Sequence, residues 1–444
     1  MAVPPFVRDA DLHTTTWKGL LTMREAYIVA VACTPFGKHR DLGFRELARQ
    51  TLDLLVADGG PAGDAVATEL DTLWFGNCFM DAWGQRNLRG QVALVELVDE
   101  GRLPARLPVT NVEAACATGS LALHGAVRDV RSGEAELALA LGIEKLVLPE
   151  DATGPTALRL IEGCTDNLTR DRLVRTYQEA AETVGETFAV GADRSLFMDT
   201  YATQALLHMK RYGTTREQLA VASAKNHNYG ALNPLAQYRF TTTPDAVLAD
   251  REVSYPLTRA MCSPIGDGAA AALVCSGDWL AAQPASVRER AVRVRATAAA
   301  GGTYLRTPDV PTLSYEAARR AYRRAGITPA EVDVAEVHDA TSFGEILQVE
   351  MLGFCAPGQG GAFVADGATG PGGSLPVNTS GGLVSKGHPI GATGLSMTYE
   401  LTVQLRGEAG ARQVPDARIG LAENGGGVIG LEEATCAVTI LERM

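Results

Sequence analysis

Apolar positions along the chain switch between two periods. EAYIVAVACTPFG, from residue 25, is a β-branched apolar run closed by a Thr-Pro turn, and it reads as a strand. FRELARQTLDLLVADG (44–59) spaces its apolar residues at the helical period, and TLWFGNCF (72–79) reads as a strand. A second helix covers 117–132, and ELALALGIEKL (136–146) follows as a buried apolar strand. Strands alternating with helices predict a sheet covered by helices on both faces.

Residues 147–235 break this rhythm. They hold the charged helices DRLVRTYQEAAETV and TQALLHMKRYG and a polar loop, KNHNYGALNPLAQYR, and they read as an insertion over one face. The sheet resumes at DGAAAALVCS (267–276). A second unit follows: strand AVRVRATAAA, helix YEAARRAYRRAG, strand VDVAEVH, helices near 343–353 and 391–406, and strands RIGLAEN and ATCAVTIL. The order of elements repeats, so two α/β halves are expected, 23–285 and 286–444, with the insertion inside the first. Residues 1–22 read as an appended arm or as the product of a mis-chosen start codon.

The 444 residues suit two core-bearing domains, at ~100–200 residues each. Many of the 47 glycines fall in short clusters, which mark tight turns and close backbone approach. A formal net charge of -12 argues against a nucleic-acid partner, whose phosphates call for a basic face. An anionic coenzyme A ester remains compatible, because a few local donors suffice to bind it. The eight cysteines include no CxxC pair and no Cys/His ligand spacing, so no metal is expected. The N-terminus has early charges and no continuous apolar region, no run of 18 apolar residues occurs, and the C-terminal Glu-Arg-Met is no peroxisomal address. Reduced thiols in the cytoplasm and no membrane span are the expectation.

Four segments carry candidate chemistry. In NVEAACATGSLALHGAV, Cys116 directly precedes a helix, where free N–H groups and the helix dipole favour a thiolate. Its small neighbours leave room for a thioester; a buried core cysteine is the alternative. In VNTSGGLVSKGHPIGATGLSMTYELTVQL, a Gly-rich turn presents His388, which either takes the Cys116 proton or bonds its own backbone. In VDVAEVHDATSFGEILQVEMLGF, His338 ends a strand, where ligands bind in α/β sheets; a structural histidine is the other reading. In RIGLAENGGGVIG, Glu423 and Asn424 end a strand and Gly425, Gly426 and Gly427 offer main-chain donors, or simply a flexible turn.

Together these segments resemble the thiolases, and within them the branch similar to the thiolase domain of sterol carrier protein x. KNHNYGALNPLAQYR, MCSPIGDGAAAALV and QLRGEAGARQVPDARIGLAEN extend the resemblance in order, from about Met23 to the end. The resemblance implies duplicated βαβαβαββ halves in a five-layered α-β-α-β-α core, with 147–235 as the loop domain that covers coenzyme A. Cys116 matches the acylated nucleophile, and His388 of GHPIGATG matches the histidine that activates it and helps form an oxyanion hole. His338 of HDA matches the residue that holds a water in that hole. The main-chain N–H groups of Cys116 and Gly425 match a second hole, and Ser263 falls where the family lines the pantetheine channel. A homodimer or homotetramer acting on acyl-CoA substrates is implied, with no metal or redox cofactor.

Two departures stand out. Thiolases have a second cysteine that moves the proton on the attacking carbon; Glu423 stands where most members have it, and Ala340 where the sterol-carrier branch has it. Glu423, raised in pKa by burial, is the first candidate to replace it, and His338 the second. The expected activity is acyl transfer through Cys116, as Claisen condensation or thiolysis of a β-ketoacyl-CoA. Three rivals are an acyltransferase of specialised metabolism with a non-CoA acceptor, a retro-aldol lyase with a small OB-fold partner, and a non-catalytic binding module. Lyases of this branch lack the nucleophilic cysteine, so Cys116 argues against the second.

Overall fold

A computed structural model of the chain describes residues 24–148, 157–188, 195–303 and 313–444; the arm at 1–22 and part of the insertion lie outside them. Nine strands form the main sheet: β1 (Ala26–Cys33), β2 (Thr72–Gly76), β3 (Val109–Val112), β4 (Leu137–Glu144), β5 (Gly268–Ser276), β6 (Val292–Gly301), β7 (Val334–Glu336), β8 (Ile419–Ile429) and β9 (Glu432–Arg443). Their spatial order is β3-β2-β4-β5-β1-β6-β9-β8-β7. The first strand of each half, β1 and β6, meet at the centre over just two residue pairs, Tyr27 with Arg293 and Ile28 with Val292. Outward from that seam each half places its last strand, then the one before it. The repeat read from the sequence is therefore a repeat of topology.

Alternation along the strands sorts side chains into layers. In β4, Leu137, Leu139, Leu141 and Ile143 pack under helices α1 (Phe44–Gly59) and α2 (Arg89–Asp99). Ala138 and Ala140 point to the other face, toward α3 (Thr118–Ser132), and α9 (Thr393–Arg406) lies in the same cluster. In the second half Cys436, Val438 and Ile440 of β9 pack under α7 (Leu313–Ala325). Helices thus lie outside both sheet halves and between them, in five layers. In β4 the large residues face outward and the alanines face the middle, where the two central helices approach closely: a Cβ on Gly119 of α3 would lie 3.0 Å from the Leu395 N of α9.

The insertion supplies α4 (Arg170–Thr183), α5 (Leu196–Tyr212) and α6 (Arg216–Ala231). Here the structure corrects the sequence reading, because KNHNYGA lies in α6 rather than in a loop. The helix is started by a reciprocal Thr215–Gln218 capping box. Its polar residues find buried partners: Lys225 Nζ pairs with Glu345 at 2.7 Å, and Asn226 Nδ2 donates to Asp339 Oδ2 at 2.8 Å. The partners come from α8 (Ser342–Met351) and the loop before it, so no local pattern betrays them. The Gly425–Gly427 segment is likewise not a turn but part of β8, with Gly427 at φ 64°. The sequence reading passed over helix α2 and the short strand β3. No helix among the described residues is long and apolar enough to cross a membrane.

The central layer depends on missing side chains. A Cβ on Gly142 would lie 2.2 Å from the Gly391 carbonyl oxygen, whereas one on Gly37 would meet nothing closer than 3.7 Å. Gly142→Ala is expected to cost about 1–3 kcal/mol of unfolding free energy in urea, as overpacking against backbone does, while Gly37→Ala stays near wild type.

Candidate active site

Cys116 sits in a 3-10 turn (Ala115–Ala117) that runs directly into α3. Ala115 adopts φ 48°, a left-handed conformation that costs an alanine about 1 kcal/mol. The turn is held by Ala114 N–H to Thr118 Oγ1 (2.8 Å), Ala115 N–H to Glu113 Oε1 (2.7 Å) and Ala117 N–H to the Ala114 carbonyl (3.1 Å). Gly426 of β8 packs on it so closely that a Cβ there would lie 2.3 Å from the Ala114 oxygen.

His388 meets this thiol. Its Nε2 lies 3.1 Å from Cys116 Sγ, and its Nδ1 lies 2.7 Å from Thr393 Oγ1. The Thr393 hydroxyl donates to the Pro389 carbonyl at 3.0 Å, so it accepts from the ring, and Nδ1 carries the proton. Nε2 is left with a lone pair facing the thiol. Burial, with the nearby His338 and Lys386, holds the His388 pKa well below its usual value, so the ring stays neutral.

His338 lies edge-on to His388, with ring centroids 5.5 Å apart. Its Nδ1 bonds Glu433 Oε1 at 2.8 Å, and its buried Nε2 has no hydrogen-bond partner. Burial works to lower its pKa, but Cys116 and Glu433 outweigh burial and raise it well above the usual value. The sulfur and one nitrogen of each histidine lie within 4.8 Å of one another, a set that a soft metal ion could also use. However, two ligands of a tetrahedral zinc would stand about 3.6 Å apart. The 3.1 Å contact between Cys116 and His388 is a hydrogen bond length.

Glu423 is fully buried, yet it does not face the thiol with a free oxygen. Oε1 accepts from Ser314 Oγ (3.0 Å) and Cys436 Sγ (3.3 Å), and Oε2 accepts from the His338 backbone N–H (3.0 Å). Burial and the Glu433 charge push its pKa up to about 7. It anchors the histidine loop from behind, which is a different place from the one expected of a base. Ser263 reaches the same loop, its N–H bonded to the Ala340 carbonyl at 2.9 Å. Gly425 pairs with Cys436 within the sheet.

The sequence reading passed over three residues that the site uses. Glu433 follows the hairpin turn after the glycine run, and its only signal was an acidic pair just past that turn. Thr393 lay inside GHPIGATG without an assigned part. Glu144 ends β4 and accepts from the N–H groups of Cys78 (2.9 Å), Phe79 (3.2 Å) and Gly391 (3.2 Å) and from Asn77 Nδ2 (2.9 Å). It thereby ties the exit of β2 to the loop that follows His388, and burial pushes its pKa up to about 7.

Two outcomes follow. Thr393→Val strands the Nδ1 proton and frees the His388 tautomer, so alkylation of Cys116 by iodoacetamide should slow about tenfold or more. Glu423 and Glu144 both hold their protons longer folded than unfolded. The stability this confers is complete below pH 4.5 and is lost as pH rises through about 7. The urea midpoint should fall between pH 5 and 8, and Glu423→Gln should flatten that fall.

The chain matches two family models, the thiolase N-terminal domain over residues 26–244 and the thiolase C-terminal domain-like family over 303–443. It is 37% identical to an acetyl-CoA acetyltransferase of Methanothermobacter thermautotrophicus, over 95% of this chain and 100% of that one. It is 34% identical to human sterol carrier protein 2, over 92% of this chain and 71% of the relative. A benzoylsuccinyl-CoA thiolase subunit, BbsB, of Thauera aromatica is 31% identical, with 91% and 95% covered. Among solved structures, an Ltp2–ChsH2(DUF35) aldolase shares the fold at a TM-score of 0.75 and 20% identity, covering 96% of this chain and 99% of that one. With both halves matched and relatives above 30% identity spanning nearly the whole length, the chain belongs to the thiolase family and is an acyltransferase.

Proposed function

We propose that the chain carries an acyl group on Cys116 and forms or cleaves the carbon–carbon bond of a β-ketoacyl-CoA. The observation that carries this is the 3.1 Å contact between Cys116 Sγ and the lone-pair nitrogen of His388. His388 takes the thiol proton, the sulfur attacks the thioester carbonyl, and the coenzyme A thiol leaves with that proton. The main-chain N–H groups of Cys116 and Gly425 hold the developing oxyanion. In the second half-reaction an acetyl-CoA enolate attacks the acyl group, and Cys116 leaves as the thiolate. In thiolysis coenzyme A takes it instead. Neither half calls for a metal or redox cofactor.

Coenzyme A enters over Ser263 and under the insertion of 147–235. The chain works in the cytoplasm, in lipid metabolism, as a homodimer or homotetramer. A small OB-fold protein is a candidate partner, since the solved structure of similar fold is named as a complex with a DUF35 protein. Transfer to a non-CoA acceptor in specialised metabolism is a second reading. It is favoured by the chain's departure from the family pattern, since Ala340 and Glu423 occupy the positions at which the resemblance implies a second cysteine. An activated aromatic carbon needs less help in losing its proton. Retro-aldol cleavage or mere binding would leave the Cys116–His388 contact without use.

Intact-mass spectrometry after incubation with a panel of acyl-CoAs tests the first step. A single adduct is expected, abolished by Cys116→Ala and formed about 10²-fold more slowly or worse in His388→Ala. Acetyl-CoA alone then separates the readings. Acetoacetyl-CoA formation supports condensation, and an acylated enzyme that makes none points to the other acceptor.

A further inference from the structure

We propose that His338 is the base for the proton on the attacking carbon, and that Glu433 positions it and holds its charge. The inference rests on the acyl-Cys116 reading and concerns the task for which the chain lacks a cysteine.

That task needs a basic atom near the sulfur with nothing else bound to it. Glu423 fails on this count, since both of its oxygens accept hydrogen bonds on the inner side of the His338 loop. Ala340 has no titratable group. Cys78 and Cys164 lie in the cluster around Cys116, but burial pushes both thiols well above their usual value, so neither is a base near neutrality. Tyr201, beside the His338 ring, is pushed up in the same way. His338 Nε2 is buried, unpartnered and within reach of the sulfur.

The surroundings of His338 look built for this part. The ring is fixed at Nδ1 by Glu433, whose side chain is only 10% exposed, and the backbone is fixed by Glu423. Glu433 fits because β8 carries a glycine against its carboxylate: a Cβ on Gly425 would lie 1.8 Å from Glu433 Oε2. The ladder keeps one register through Gly427, with Val428 across from Glu433. Gln204 Nε2 ties the hairpin down through the Leu431 carbonyl at 2.8 Å. The glycine run therefore does more than offer main-chain donors, because it clears the space that the carboxylate fills. Beyond Glu433 and His338, a cavity bounded by Ser314, Tyr201 and Gln348 leaves about 20 Å3 open to the centre of a water molecule, room for one. Gln348 Oε1 has no partner there. This gives the pair a place to exchange its proton.

The order of events follows from the charges. In the free enzyme, Cys116 and Glu433 together keep a proton on His338. Acylation sends the Cys116 proton through His388 onto the coenzyme A thiol and leaves a neutral thioester. The sulfur no longer helps to hold a proton on His338, which releases its own through the water cavity. His338 then faces the second thioester neutral, with Nδ1–H donated to Glu433. Its Nε2 takes the α-proton, and the C–H pair becomes the enolate. The new imidazolium is paired with the Glu433 carboxylate. The enolate carbon bonds to the acyl carbon, the bond from that carbon to sulfur breaks, and Cys116 leaves as thiolate, again beside a protonated His338.

The test uses the full-length enzyme, acyl-CoA and acetyl-CoA in D2O. Glu433→Gln should acylate Cys116 within about fivefold of wild type. It should slow deuterium entry into the acetyl-CoA methyl group about 10²-fold. The acid limb of the exchange pH profile should move to lower pH, because a neutral side chain no longer holds the proton on His338. A merely structural role would lower rates without moving that limb. Glu433→Asp keeps the charge and should keep the limb in place with part of the exchange. Wild-type exchange and an unmoved limb in Glu433→Gln overturn the proposal. If that variant does not fold, a Glu433→Asp enzyme that folds and acylates yet has no exchange above background overturns it instead. A wild-type enzyme that never acylates Cys116 would overturn the underlying reading, a separate result.

Discussion

The site depends on backbone meeting backbone without side chains between. Cys116 and His388 lie 272 residues apart, and they touch because the two segments that carry them are stripped to glycine and alanine where they cross. The Gly391 carbonyl lies against Gly142 of β4 and Gly119 of α3, where added Cβ atoms would come to 2.2 and 3.0 Å. Gly426 presses on the Cys116 turn from the other side. Each of these glycines weakens its element entropically, and the sheet that surrounds them compensates by burial. The same closeness leaves no room for slack: small shifts in any of these segments would open the thiol–imidazole contact.

Around this contact the protein buries an unusual number of carboxyl groups, each with its own donors. Glu144 gathers three backbone N–H groups and an amide from two separate segments. Asp339, next to His338, accepts from the Leu383 N–H (2.6 Å) and from Asn226. A Cβ on Gly382 would lie 2.3 Å from its Oδ2. Glu336 accepts from the Ser380 N–H at 3.0 Å. These acids knit the loops at the strand ends to each other, where no regular hydrogen-bond ladder reaches. Glu423 belongs to this class. Glu433 differs, since it meets an imidazole that in turn faces the sulfur. Two carboxylates on adjoining strands of one hairpin thus have different work because of what each one touches.

Much of the fold was legible beforehand. Helix 44–59 and strand 267–276 were read almost to the residue, because apolar periodicity is local and both elements bury one consistent face. The same holds for α3 and for the repeat of α/β units. Helix α6 was not legible, since its buried Lys225 and Asn226 are satisfied by residues more than a hundred positions away, and composition alone reads as a loop. The glycines of β8 also looked like a turn. They continue a strand because β9 and the Cys116 turn, both distant or later in sequence, need their Cβ positions empty.

By itself the sequence determined the alternating α/β architecture, the nucleophile before a helix, and the two histidines at loop ends, since each rests on residues adjacent in the chain. Only the tertiary structure decided which partner each histidine has, and so which nitrogen carries a proton. It also decided between two buried glutamates, turning Glu423 inward to hold a loop and setting Glu433 against His338. Hydrogen-bond partners and burial are properties of a position in space, and no pattern along the chain encodes them when the groups come from opposite halves of the fold.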